Sequence, residues 1–173
     1  MFLRFDLKIS ALVFFAIIFV YSCKKTNNDL EIDSEFHTSC TNLEESIVEG
    51  ENGVQKNYVE LKDLAKTEID QIRLLNTRAL LEQRRSKYDS SIHTLKLGLQ
   101  KAKQGNYNLL IGQFNLSLGQ AFLDLGDYSK SPFCLSNAKT FFINPATGFE
   151  FSEALMSEGI AHKNLGQLDS AAD

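Results

Sequence analysis

Leu118-Gly119-Gln120-Ala121-Phe122-Leu123-Asp124-Leu125-Gly126-Asp127-Tyr128 is an apolar helical run that stops at a glycine and is followed at once by an aspartate and an aromatic. The pattern predicts helix, turn, helix. Gly126 suits the positive-φ conformation that commonly ends a helix, and Asp127 or Ser129 can accept hydrogen bonds from the first N–H groups of the next one. Gly119 and Ala121 are small enough to let two antiparallel helices approach closely, with Phe122 and Tyr128 filling the space at the base of the hairpin.

The same features return at an interval of 40 residues. Tyr88, Tyr128 and Leu168 are in register, and so are Ala79, Gly119 and Gly159; Leu81, Ala121 and Ala161; Ser86, Gly126 and Gly166; and Ser91, Ser131 and Ala171. A period in this range marks a supersecondary unit that cannot bury its own apolar face and must stack on copies of itself. Helical spacing is equally plain in the second helix of the first copy, where Tyr88, Ile92, Leu95, Leu99 and Ala102 advance by fours and threes along one face.

These residues resemble the tetratricopeptide repeat, whose pattern is Leu-Gly, an aromatic three residues on, then Gly-Asp-Tyr and a downstream alanine. The middle copy carries Leu118-Gly119, Phe122, Gly126-Asp127-Tyr128 and Ala138; the third keeps Gly159, Ala161, Gly166, Leu168 and Ala171. In the first copy Tyr88, Leu95 and Leu99 remain, but Arg85-Ser86 replaces the turn glycine and Arg78 stands where leucine is usual. The interval is longer than the family's usual 34 or so, as in the longer-helix members found in signalling scaffolds. The resemblance covers roughly Ile69 to Asp173 and implies an all-α fold, an α-α superhelix or solenoid of stacked hairpins. The copies span about 69–105, 106–145 and 146–173. The last supplies a first helix from about Thr147 to Leu165 and too little of a second to be stable in water, leaving its apolar face uncovered. A fragment of a longer repeat protein, or a partner that supplies the missing helix, would account for this.

The N-terminus is a different kind of segment. Arg4 and Lys8 precede the apolar run Ala11 to Tyr21, and Ser22-Cys23-Lys24-Lys25 follows. Eleven apolar residues fall short of the about 20 that span a bilayer, so residues 1–22 read as a secretory signal. Val20-Tyr21-Ser22-Cys23 resembles a bacterial lipobox, which implies lipid on Cys23 and a mature chain anchored in the cell envelope, facing the periplasm or the cell surface. An uncleaved anchor and plain secretion are the rival readings. Residues 23–41 are polar, without apolar periodicity, and read as a flexible tether. Residues 42–68 follow as a degenerate leading helical unit, with Leu43, Ile47 and Val48, a break near Glu51-Asn52-Gly53, then Tyr58, Leu61, Leu64 and Ala65.

Without residues 1–22, 16 basic and 21 acidic side chains remain, a net charge of −5. No basic stripe longer than Arg84-Arg85-Lys87 offers itself to phosphates, so nucleic acid is not an expected partner. His37-Thr38-Ser39-Cys40 has no second half that would complete a zinc site. Cys40 and Cys134 could pair outside the cytoplasm, although one falls in the tether and the other on a repeat helix. Ser91 and His162 read as packing residues. No phosphate loop or nucleophile elbow is present, and neither an enzymatic activity nor a cofactor is expected.

What remains is binding. In tetratricopeptide arrays the first helix of each pair lines a groove, and the resemblance nominates by register Arg73, Asn76, Leu80, Gln83 and Arg84; Gln113, Leu116, Gln120, Leu123 and Asp124; and Glu153, Met156, Ile160, Lys163 and Asn164. Amide side chains can bond an extended backbone while Leu80, Leu116 and Ile160 give apolar footing, so the expected partner is a protein or peptide. The chain reads as a non-enzymatic interaction scaffold tied to a membrane by lipid on Cys23. The alternative is the sensory part of a truncated sensor kinase or transcription regulator. An accessory role in envelope assembly rests on fold analogy alone.

Lipidation makes a direct prediction, because the Cys23 thiol is the group at the cut site that can take a diacylglycerol. Cys23→Ser should abolish fatty-acid labelling and leave an unprocessed precursor. A mutant that still labels and matures to the same size overturns the lipobox reading.

Overall fold

The computed structural model describes residues 34–50, 53–142 and 147–166, all within the unit Ile32–Asp173. Seven α-helices run through them: α1 (Ser34–Glu49), α2 (Val54–Leu64), α3 (Glu68–Arg84), α4 (Tyr88–Gly105), α5 (Asn108–Leu125), α6 (Ser131–Lys139) and α7 (Gly148–Asn164). No strand occurs among the described residues, and no helix among them is long and apolar enough to cross a membrane. The expectations for residues 1–22 and for Cys23 lie outside the described residues, as does the second helix of the third copy.

The chain reverses on left-handed residues at a fixed spacing. Ser86 (φ 57°), Asn106 (φ 55°), Gly126 (φ 80°) and Gly166 (φ 74°) fall 20 or 40 residues apart. The first three close their turns with the same pair of bonds. Lys87, Tyr107 and Asp127 donate their N–H groups to the carbonyls of Glu82, Ala102 and Phe122 at 2.8–3.0 Å, and Ser86, Asn106 and Gly126 donate to Gln83, Lys103 and Leu123 at 2.7–3.2 Å. This is the Schellman arrangement, which satisfies helix-end carbonyls that would otherwise lack donors. The turn glycine expected at 126 therefore adopts the conformation assigned to it, and Ser86 takes the same conformation without the glycine, at a cost on the order of 1 kcal/mol. At the other end of α3, Thr67 and Asp70 form a reciprocal cap: Thr67 Oγ1 accepts from the Asp70 N–H at 3.1 Å and Asp70 Oδ2 accepts from the Thr67 N–H at 2.9 Å.

Each helix packs on the next, and α1, α3, α5 and α7 also pack in succession. Three local cores result. Phe36, Cys40, Leu43 and Ile47 of α1 meet Leu61, Leu74 and Leu81 of α2 and α3. Ile72, Ala79, Ile92, Leu95, Leu110, Phe114 and Phe122 bring α3, α4 and α5 together. Leu116, Leu135, Ala138, Phe142 and Ala154 join α5, α6 and α7. Cys40 and Cys134 are both free, and they sit in different cores.

The small residues of the repeat are where the helices touch. A Cβ on Gly98 would stand 2.2 Å from Phe114 Cε1, and one on Gly119 would stand 2.5 Å from Leu135 Cδ2. Ala79, Ala121, Ala161, Ser91 and Ser131 are buried, and Ser131 Oγ donates to the Gly119 carbonyl at 2.9 Å across the α5–α6 contact. Phe122 fills the hairpin base as expected, but Tyr128 does so only in part, being half-buried. The second helix of the middle copy is also shorter than its counterpart α4: α6 ends at Lys139, and Phe141 and Phe142 then turn in against Gly112, whose Cβ would meet Phe142 Cε1 at 2.7 Å.

One boundary differs from the sequence reading. The tether assigned to residues 23–41 overlaps α1, which begins at Ser34, so the leading unit is longer than residues 42–68. Phe36, Cys40, Leu43 and Ile47 advance by four, three and four and form the buried face of that helix. Two apolar residues in a polar stretch suffice because α3 covers them. The break near Gly53 stands where expected, with Gly50 and Gly53 both at positive φ. Arg84 reaches back to this end and donates from Nη1 to the Ile47 carbonyl at 2.6 Å.

Replacing glycine by alanine inside a helix ordinarily gains up to about 1 kcal/mol. At Gly98 the added methyl would drive into the fully buried Phe114 ring, and overpacking of this kind costs about 1–3 kcal/mol. Gly98→Ala is therefore expected to lower the unfolding free energy, read from denaturant midpoints at unchanged slope; a gain would remove the close α4–α5 contact as a constraint.

Candidate functional site

A groove of about 420 Å³ opens along the faces of α1, α3, α5 and α7. Helical spacing places its lining. His37, Thr41 and Glu44 come from α1; Arg73, Asn76, Leu80 and Gln83 from α3; Gln113, Leu116, Ser117 and Gln120 from α5; Phe149, Glu150 and Glu153 from α7, with Ala79 and Leu95 beneath. Positions three, four and seven apart share a helix face, so each helix contributes one stripe. Of the residues nominated by register, Asn76, Leu80, Leu116 and Gln120 come together here, along with Arg73, Gln83, Gln113 and Glu153.

Arg84, Asp124, Ile160 and Lys163 do not line it. Arg84 is held by the end of α1. Asp124, Ile160 and Lys163 are exposed, one turn or more past the part of α5 or α7 that faces the groove. Further nominated residues on α7 open elsewhere: Met156 is 64% exposed and Ile160 45%, and with Leu155 at 51% they leave apolar side chains exposed outside the groove. His37 and Thr41 were missed because residues 23–41 read as a tether, and Glu44 because residues 42–68 read as a capping unit with no part in the groove. The signal that could have found them is the same four-three-four spacing of Phe36, Cys40, Leu43 and Ile47, whose neighbours His37, Thr41 and Glu44 repeat it one position over.

The floor between α1 and α3 is polar and partly buried. Arg73 is only 5% exposed. Its Nη2 donates to Thr41 Oγ1 at 3.3 Å, and the Thr41 hydroxyl donates in turn to the His37 carbonyl at 3.1 Å. Thr77 Oγ1 donates to Glu44 Oε1 at 2.8 Å. On the far wall, Gln120 Nε2 donates to Glu153 Oε1 at 2.8 Å, tying α5 to α7. Arg73 Nε and Nη1, Asn76 Oδ1 and His37 Nδ1 are buried without a hydrogen-bond partner. Each such group costs on the order of 1–3 kcal/mol if it stays unsatisfied.

Burial sets the protonation states. It pushes the Glu44 carboxyl above its ordinary 4.5, against the pull of the Arg73 charge and of hydrogen bonds from Thr77 and Asn76. Burial, seconded by Arg73, lowers His37 from 6.5, which keeps the imidazole neutral at pH 7. It also drives the Cys40 thiol up to about 11, so this cysteine is an inert core residue and no nucleophile. Cys134 is raised for the same reason. The floor thus presents fixed donors and acceptors and one guanidinium, with no activated group.

No family model, curated protein or solved structure matches the chain. Its groove is therefore judged on its own chemistry, and Glu44 gives a first check. A carboxyl whose folded pKa is raised favours folding in its protonated form, so its contribution is present below the ordinary value and is lost as pH rises through the raised one. Glu44→Gln keeps an acceptor for Thr77 and cannot ionise. The stability of the wild type relative to this variant should therefore fall as pH climbs from 4.5 towards 7.5, measured by thermal melting; a difference that stays constant across that range removes the buried, raised carboxyl.

Proposed function

We propose that this chain is a non-enzymatic protein-interaction scaffold, a tetratricopeptide-like α-α solenoid that is exported and held at a bacterial membrane by lipid on Cys23. The observation that carries the reading is the groove along α1, α3, α5 and α7, whose lining combines amide, hydroxyl and charged side chains with the apolar Leu80, Leu116 and Phe149. Such a surface suits a peptide, whose main chain needs donors and acceptors at intervals and whose side chains need apolar footing. The succession of three local cores, each shared by neighbouring helices, supports the solenoid arrangement. The short apolar N-terminal run ending in Ser22-Cys23 supports the anchoring.

A photo-crosslinking amino acid at Gln113, on the groove, should join the chain to one protein species in membrane extract. The same group at Gln100, exposed on α4 away from the groove, should not. Adding Asn76→Ala and Gln120→Ala should reduce the Gln113 product severalfold while leaving the thermal midpoint within a few degrees. Equal labelling from both positions, or none from either, would falsify the scaffold reading.

A further inference from the structure

We propose that the groove selects a peptide segment bearing a basic side chain, with a main-chain carbonyl of the peptide accepting from the Arg73 guanidinium and its lysine or arginine pairing with Glu150 and Glu153 on the α7 wall. The inference rests on the scaffold reading and names the class of partner. Its starting point is the unsatisfied floor. Arg73 is nineteen-twentieths buried, with Nη2 on Thr41 and no acceptor at Nε or Nη1, and Asn76 Oδ1 and His37 Nδ1 beside it have no hydrogen-bond partner. All three residues line the same groove. A guanidinium is a planar fork of donors that cannot be neutralised, so its demand for acceptors does not vanish by titration.

The ligand must therefore bring acceptors and donors close together. An extended peptide does so at every residue, through its C=O and N–H groups, and Gln113, Ser117 and Gln120 continue the same offer along α5. A small cation brings no acceptor, and a carboxylate or sulfate ion no donor.

Charge then decides which peptide. The lining carries one guanidinium, Arg73, and three carboxyl groups, Glu44, Glu150 and Glu153, with His37 neutral. Glu44 and Arg73 share the floor and act on each other as opposite charges. Glu150 and Glu153 have no such counter-ion in the lining; Glu153 accepts a neutral donor, Gln120. A peptide rich in Asp or Glu, or one bound through its terminal carboxylate, would bring more negative charge to this wall and be repelled, whereas a lysine or arginine is attracted. Phe149, 80% exposed beside these carboxylates, offers a ring face to the same cation.

The test uses the full chain in detergent micelles and three pools of acetylated, amidated octapeptides built on Ala, Asn, Leu and Ser, with two lysines, two glutamates or no charged residue. Binding is read by fluorescence anisotropy. The lysine pool should bind at least tenfold more tightly than the neutral pool, and the glutamate pool more weakly than either. Glu150→Gln combined with Glu153→Gln should shrink the advantage of the lysine pool over the neutral pool, both measured on that variant, below threefold. Arg73→Lys keeps the charge and loses the fork, and should weaken the lysine and neutral pools alike by about tenfold. Equal affinity for all pools, preference for glutamate, binding indifferent to the two glutamines, or no binding at all overturns the proposal. Because both glutamates lie at the groove edge, their double variant remains informative if Arg73→Lys fails to fold. Crosslinking from Gln113 distinguishes the two failures: a product there with no lysine preference leaves the scaffold standing and removes only the partner class.

Discussion

Close approach of neighbouring helices at residues with little or no side chain is the constraint on which the rest of this structure depends. Gly98 lies under Phe114, Gly119 under Leu135 and Gly112 under Phe142, each so tightly that a single Cβ has no room. Dispersion forces fall steeply with distance, so such contacts fix how far apart the helix axes stand and which side chains interleave. Ser131 adds a directional element by donating to the Gly119 carbonyl. Turns of one geometry then return the chain after α3, α4 and α5. Helices α1, α3, α5 and α7 pack in succession and each gives one stripe of side chains to the groove.

The α1–α3 seam shows a different balance. Its rear half is apolar, with Phe36, Cys40, Leu43 and Ile47 packed on Leu74 and Leu81. Its front half holds Arg73, Glu44, Thr41, Thr77, Asn76 and His37, a polar set placed on the groove side of the same two helices. Burying a guanidinium and a carboxyl together is costly, and their mutual attraction rarely exceeds the desolvation they suffer. A seam built for stability alone would be apolar throughout. This polar set forms part of the groove floor.

At the opposite end, α7 has two kinds of surface. Ala154, Ser157 and Ala161 face inward, and Lys139 of α6 pairs with Glu158. Leu155, Met156 and Ile160 are exposed outside the groove, and Phe149 is exposed at its edge. The inward face is made of small residues because α5 and α6 come close. The outward one carries larger apolar groups than solvation favours, which sets this helix apart from α3, whose exposed positions include Gln71, Arg78 and Arg84.

How much of this was legible in the chain follows from which signals are periodic. Leu118-Gly119, Gly126-Asp127 and the 40-residue interval revealed helices, turns and the small-residue contacts, because backbone conformation at Gly126 and close approach at Gly119 restrict the residue type locally. The interval also placed Asn76, Leu80, Leu116 and Gln120 on one surface, since helical register carries a position from copy to copy. Tertiary structure decided the rest. Helix α1 is short of apolar residues and is held by α3, so Phe36 and Cys40 looked like isolated residues in a polar segment until their partners were in place. Ser86 and Asn106 adopt the turn conformation without glycine because the packed helices on either side impose it. Arg73 was nominated as one polar residue among many. Only the three-dimensional arrangement gives it a buried site with two donors left unpaired, because burial and missing partners belong to the fold around a residue and not to its place in the chain.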